Sequence, residues 1–194
     1  MKKAFTMLEL VFVIVVIGIL AAVIIPRTER NNVSEAAIEL ESQIRYAQHL
    51  AIIDDKFDAN NNRWYRNLWQ IHFDGDKYSI KHHNFQHNEN VASASDTYAL
   101  DPQNGSLIKD INLGDKYNAT VSMMADCAGV TIISFDHVGR PMVGDLRLNT
   151  QPYVLNQLIQ EDNEHNCTIA VSNDDNSTIH YLRLHGETGY LKGF

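Results

Sequence analysis

Apolar positions follow two regimes along the chain. From Phe5 to Ile25 the residues are almost all apolar, with Glu9 as the one acidic interruption. As a helix this run would be roughly 32 Å long, which is the thickness of a bilayer core. Lys2 and Lys3 ahead of it would stay on the cytoplasmic side. A cleaved secretory signal would have a shorter apolar region, of about 7–15 residues. After Pro26, Val33, Ala36, Ala37, Leu40, Ile44, Ala47 and Ala51 recur at three- and four-residue spacing. This spacing predicts a helix over about 28–53 with one apolar face, and that face belongs in a core against a sheet.

From Trp69 the period changes to two. Trp69, Ile71 and Phe73 alternate with polar residues, Asp74-Gly75-Asp76 turns the chain, and Tyr78 and Ile80 resume the alternation. This is a hairpin signal. "VTIISFD" (130–136) predicts a strand, and "HVGRP" after it predicts a turn at Gly139 and Pro141. "CTIAVS" and "TIHYLRL", separated by "NDDNS", predict a second hairpin over 167–184. Short strands are expected near 97–100 and 107–113, and a last one around Tyr190 and Leu191. The expected class is α+β: a long N-terminal membrane and stalk helix packed on an antiparallel β-sheet or β-sandwich domain.

Composition narrows the function classes. The chain has 194 residues and a formal net charge of -8. That length holds one globular domain plus an N-terminal segment. The acidic balance argues against nucleic acid as a partner, because backbone affinity rests on Lys and Arg. There are two cysteines, Cys127 and Cys167. In an oxidising compartment they are expected to form a disulfide, and otherwise to be two buried thiols.

Glu9 is the position that a plain anchor does not explain. A carboxylate at membrane depth costs about 2.5–3.5 kcal/mol even on lenient scales, less near a helix end. The residues around it, Lys3-Ala4-Phe5-Thr6-Met7-Leu8-Glu9, resemble the class III signal of type IV pilins and type II secretion pseudopilins. The resemblance implies cleavage between Ala4 and Phe5 by a prepilin peptidase, and N-methylation of Phe5. Ala4 stands where the family usually has glycine. Glu9 falls at the family's glutamate position, and Gly18 and Pro26 fall at its glycine and proline, assigned here to helix bending. The implied domains are a leader (1–4), a transmembrane and polymerisation helix (5–26), a stalk helix (27–53) and a periplasmic β-rich domain (54–194). Cleavage would free an ammonium at Phe5, and Glu9 of a neighbouring subunit would pair with it and set the axial register.

Further along, "LESQIRYAQHLAI", "WQIHF", "ISFDHVGRP" and a near-terminal "TG" resemble H-type pseudopilins and FimT-like minor pilins. The resemblance implies a minor pseudopilin of a type II secretion system, a structural subunit of a periplasmic fibre for protein export. It would be a single-pass inner-membrane protein of a bacterium. Its expected partners are other pilin-like subunits, the prepilin peptidase, the inner membrane and secreted cargo. The alternative is a minor pilin of a type IV pilus, serving adhesion, motility or DNA uptake.

No enzyme, cofactor or metal is expected. His82, His83 and His87 have spacing that suits zinc or copper, but no acidic residue or cysteine completes the set. Asp58, Asn60 and Asn62 start like a calcium loop, yet Arg63 stands at the required glycine and Trp69 at the required glutamate. Asp136 and His137 are adjacent on a strand and therefore point apart. Asn166 and Asn176 each sit in an acidic-x-Asn-x-Thr sequon.

Overall fold

A computed structural model describes residues 6–85, 95–159 and 167–194, with the side chains of 22–31 and of Asn156 left undescribed. Helix α1 spans Met7–Ile53. Two antiparallel sheets pack against its C-terminal part. The first has the order β3-β2-β1-β6-β7, with β4 paired on β2. Its strands are β1 (Gln70–Asp74), β2 (Lys77–Asn84), β3 (Ser95–Tyr98), β4 (Ile111–Asn112), β6 (Ile132–Phe135) and β7 (Pro141–Val143). The second has the order β10-β9-β8-β5, built from β5 (Ala119–Ala125), β8 (Cys167–Asn173), β9 (Ile179–Leu184) and β10 (Leu191–Gly193). A short helix α2 (Leu113–Tyr117) joins β4 to β5.

The two periods meet in one core. The stripe from Val33 to Ala51 is buried at all seven positions. It packs with Ile71 and Phe73 of β1, Tyr78 and Ile80 of β2 and Ile133 and Phe135 of β6, together with Ile169, Val171, Leu182 and Leu184 of the second sheet. Four of the seven stripe residues are alanine, so the backbone of α1 can approach both sheets closely. Alternation decides which strand residues reach the helix: in β1, Ile71 and Phe73 join the main cluster, while Gln70, His72 and Asp74 point the other way. That outer face is covered in turn by a smaller cluster of Tyr65, Leu68, Met142 and Leu146.

The expected architecture is corrected in two respects. The fold is mixed α/β with two separate antiparallel sheets, and only the 32–53 part of α1 serves as their packing partner. No helix among the described residues is long and apolar enough to cross a membrane. The single-pass inner-membrane placement, with a membrane helix leading into a periplasmic domain, is therefore not supported.

Cys127 and Cys167 are joined by a disulfide with a Cα–Cα distance of 4.9 Å. It lies at the end of the β5–β8 ladder, where Ala125 is opposite Cys167. The chain between the two cysteines leaves the second sheet, forms β6 and β7 in the first, and returns. The bond thus closes the excursion that ties the two sheets together. With a sequence separation of 40 between the cysteines, the chain-entropy picture gives a stabilisation of about 4 kcal/mol. The double substitution Cys127→Ser, Cys167→Ser should lower unfolding free energy by about 3–4 kcal/mol in urea titrations. A loss under about 1 kcal/mol would mean that the excursion is held by packing alone.

Candidate functional site

The first turns of α1 hold the residues singled out in the sequence. Thr6 is the N-cap, and its hydroxyl accepts from the Glu9 amide at 3.4 Å. Thr6-x-x-Glu9 has the spacing of a capping box, in which Glu occupies the third helical position. The helix dipole there favours a carboxylate by about 0.3–1 kcal/mol. Glu9 thus has a local reason to sit in the first turn. Its side chain is exposed, and among the described residues no ion pair involves it.

From Thr6 to Ala21 every residue is exposed. The large apolar side chains range from 38% exposure at Val16 to 84% at Met7. A Cβ added at Gly18 would meet nothing within 4 Å, so among the described residues no packing requires glycine there. Pro26 lies inside α1, and its side chain is not described. Ala4 and Phe5 lie outside the described residues, as do His87 and Asn166.

The downstream motifs meet at the other end of the helix. Gln48 of α1 donates through Nε2 to the Gly139 carbonyl at 2.9 Å and to the Thr188 carbonyl at 3.3 Å. "AQHLAI", "HVGRP" and the near-terminal "TG" are therefore one contact. Gly189 takes a φ of +64°, and a Cβ there would lie 2.1 Å from the Gly139 carbonyl oxygen. Only glycine fits this approach. The "HVGRP" turn is itself organised by Asp136, which is fully buried. Its Oδ1 accepts from the Val138 and Arg140 amides at 3.0 and 2.9 Å, and its Oδ2 accepts from Arg140 Nε at 2.8 Å. Asp136 shapes a turn here, and both of its carboxylate oxygens are engaged in doing so.

A cleft of about 610 Å³ opens between α1 and the 101–106 loop. At its floor the Glu39 carboxylate accepts from the Tyr78 hydroxyl at 3.0 Å, the Tyr117 hydroxyl at 2.6 Å and Lys116 Nζ at 2.5 Å. Burial alone would raise its pKa. The three donors and the Lys116 charge outweigh that and hold it below the usual carboxylate range. These contacts pin α2 and β2 to the helix.

His82 and His83 alternate across the first sheet. His82 lies edge-on to Trp69 at 4.5 Å between ring centroids, while His83 Nδ1 meets Asp96 Oδ1 at 2.6 Å on the opposite face. Among the described residues no group of three or more His, Cys, Asp or Glu is placed to hold a metal ion. The Asp58 carboxylate accepts from the Asn60 amide at 2.8 Å, a local turn contact. Asn176 sits exposed in the β8–β9 turn with a φ of 54°.

Comparison with family models, with curated proteins and with solved structures gave no match.

The Gln48 knot makes a stability prediction. Gln48→Ala should cost about 1 kcal/mol, the usual net loss for hydrogen bonds of this kind, since its contacts are only part-buried at Gly139 and exposed at Thr188. Gly189→Ala should cost about 2–3 kcal/mol or more, because the turn must move off Gly139. Thermal unfolding of both variants checks this, and a near-neutral Gly189→Ala would show that the turn moves freely.

Proposed function

We propose that the chain is a minor subunit of a pilin-like fibre of the type II secretion kind, matured by cleavage between Ala4 and Phe5. One observation carries this reading. The stretch 7–21 presents apolar side chains on all sides, and among the described residues none is packed over them. An apolar helix surface of this extent gains stability when covered, at about 25 cal/mol per Å². The equivalent stretch of neighbouring subunits offers a matching cover, and helices stacked in a fibre would bury it without involving either sheet.

Glu9 then has two roles at once. Within the chain it completes the first turn of α1. Within the fibre it is the one polar contact in an otherwise non-directional apolar interface, so it fixes how far one helix slides along another. The ammonium freed at Phe5 is the partner, and a buried pair of this kind specifies register more than it stabilises. The domain of 32–194 would then be carried on the fibre surface, free to meet other subunits or cargo.

Two measurements test this. The mature protein from its native cells should begin at Phe5, with added mass for one methyl group. Glu9→Leu should reduce co-purification with other pilin-like subunits by about tenfold or more, since it strands a buried ammonium at a cost of about 3–5 kcal/mol. A mature protein beginning at Met1, or undiminished assembly of the Glu9→Leu chain, would sink the proposal. The identity of the co-purified subunits separates a secretion fibre from a type IV pilus.

A further inference from the structure

The β8–β9 turn carries polar residues of two kinds. Asn173, Asp175 and Ser177 hold it together. Asn173 Nδ2 donates to Ser177 Oγ at 2.9 Å, Asn173 Oδ1 accepts from the Thr178 amide at 3.0 Å, and Asp175 Oδ1 accepts from the Ser177 amide at 2.9 Å. The residues between them are Asp174, Asn176 and Thr178. Their side chains make no hydrogen bond or ion pair with any described residue. Asp174 and Asn176 are exposed, and Thr178 is half-buried. These three fill the three defined places of the acidic-x-Asn-x-Thr sequon. The φ of 54° at Asn176 explains a turn residue there, since asparagine tolerates the left-handed region. Glycine would serve that backbone as well, and the backbone asks for neither Asp174 nor Thr178.

The other sequon with an acidic residue is placed differently. Its hydroxyl residue, Thr168, is 8% exposed in the middle of the second sheet, opposite Met124 of β5 and Arg183 of β9. Its Cys167 is held in the disulfide. An enzyme reaching it would have to unpick β8 from both neighbours. The 174–178 turn needs no unpicking, because the β8–β9 ladder ends at Ser172 and Ile179. The disulfide is a second, separate observation, since such bonds persist in oxidising compartments. Exported chains are the ones that receive sugars on exposed Asn-x-Ser/Thr loops.

We propose that Asn176 is an N-glycosylation site, taking an oligosaccharide from a lipid-linked diphosphate donor. Asn176 Nδ2 attacks the anomeric carbon of the first sugar. The new N–C bond forms as the bond from that carbon to the diphosphate oxygen breaks, and the bonding pair leaves with the lipid diphosphate. One Nδ2 proton passes to a base of the transferase, and nothing is oxidised or reduced. An amide nitrogen is a weak nucleophile, so the transferase must grip the acceptor closely. The Thr178 hydroxyl offers it a hydrogen-bonding group, and the Asp174 carboxylate offers a charge for a cationic side chain. The site stands whether or not the chain assembles into a fibre.

Peptide mapping of the full chain purified from its native cells tests this, after reduction and cleavage ahead of aspartates. Peptide 174–194 contains Asn176 and no other Asn-x-Ser/Thr, and peptide 162–173 contains Asn166. The first should be heavier by an attached glycan and release sugar fragment ions, and the second should have its plain mass. Asn176→Gln should lose the added mass. Thr178→Val, which keeps the backbone bonds of the turn, should lose it too, while Thr178→Ser should retain it. The proposal is overturned if peptide 174–194 has its unmodified mass, if Asn176→Gln or Thr178→Val keeps the glycan, or if the glycan lies on 162–173 instead.

Discussion

The alanine-rich stripe on α1 is the constraint from which the rest of the domain follows. Neither sheet has a second apolar layer of its own large enough to bury its inner face, and both use the same seven helix positions. Small residues at Ala36, Ala37, Ala47 and Ala51 let the helix lie close to two layers at once, while Leu40 and Ile44 fill the space between them. Because the layers share one helix, the chain must pass between sheets, and it does so after β4, after β5 and again after β7. The Glu39 contacts hold α2 at the first of these passages, and the disulfide spans the other two. The Gln48 knot instead joins a turn of one sheet to a turn of the other, where ladder hydrogen bonds are not available.

This arrangement also explains which polar groups are buried. Asp136 and Glu39 look like candidate chemistry in isolation, since both are carboxylates sunk among aromatic and apolar neighbours. In each case the oxygens are taken up by donors from another element, so the group joins parts of the fold. His83 follows the same pattern with Asp96. His72 departs from it: it is half-buried, and among the described residues no carboxylate is in contact with it.

Periodicity made much of the secondary structure legible. The helical stripe over 33–51, the β1–β2 hairpin around Asp74-Gly75-Asp76, the strand at 132–135 and the β8–β9 hairpin all stand where alternation and turn residues put them. Strand β5 was not legible: "ATVSMMA" mixes small and polar residues because it is an edge strand, half exposed along its length. Strand β7 was hidden by Pro141, which reads as a turn but fits an edge strand that needs no amide from its first residue. The division into two sheets was not legible either, since pairing partners far apart in sequence leave no periodic trace. For the same reason nothing in the spacing of Gln48, Gly139 and Thr188 announced that they meet.

The N-terminal stretch raises a different question, because there the local and the intermolecular arguments concern the same carboxylate. If Glu9 were kept only to complete the first turn, Asp at the same position, or Glu one residue earlier, would serve the helix dipole nearly as well. A capping box is more demanding, since only the third position lets the side chain reach back toward the cap. But a capping box explains the position of Glu9 without explaining why an apolar surface begins immediately after it and remains uncovered for four turns. Among the described residues that surface has no partner, and an exposed apolar patch of this extent marks a site of interaction. A helix covering it would bring its own polar start into the same neighbourhood, and an acid at the third position would then be within reach of whatever charge that start carries. The local role fixes where the carboxylate stands, and the uncovered surface decides what it would meet.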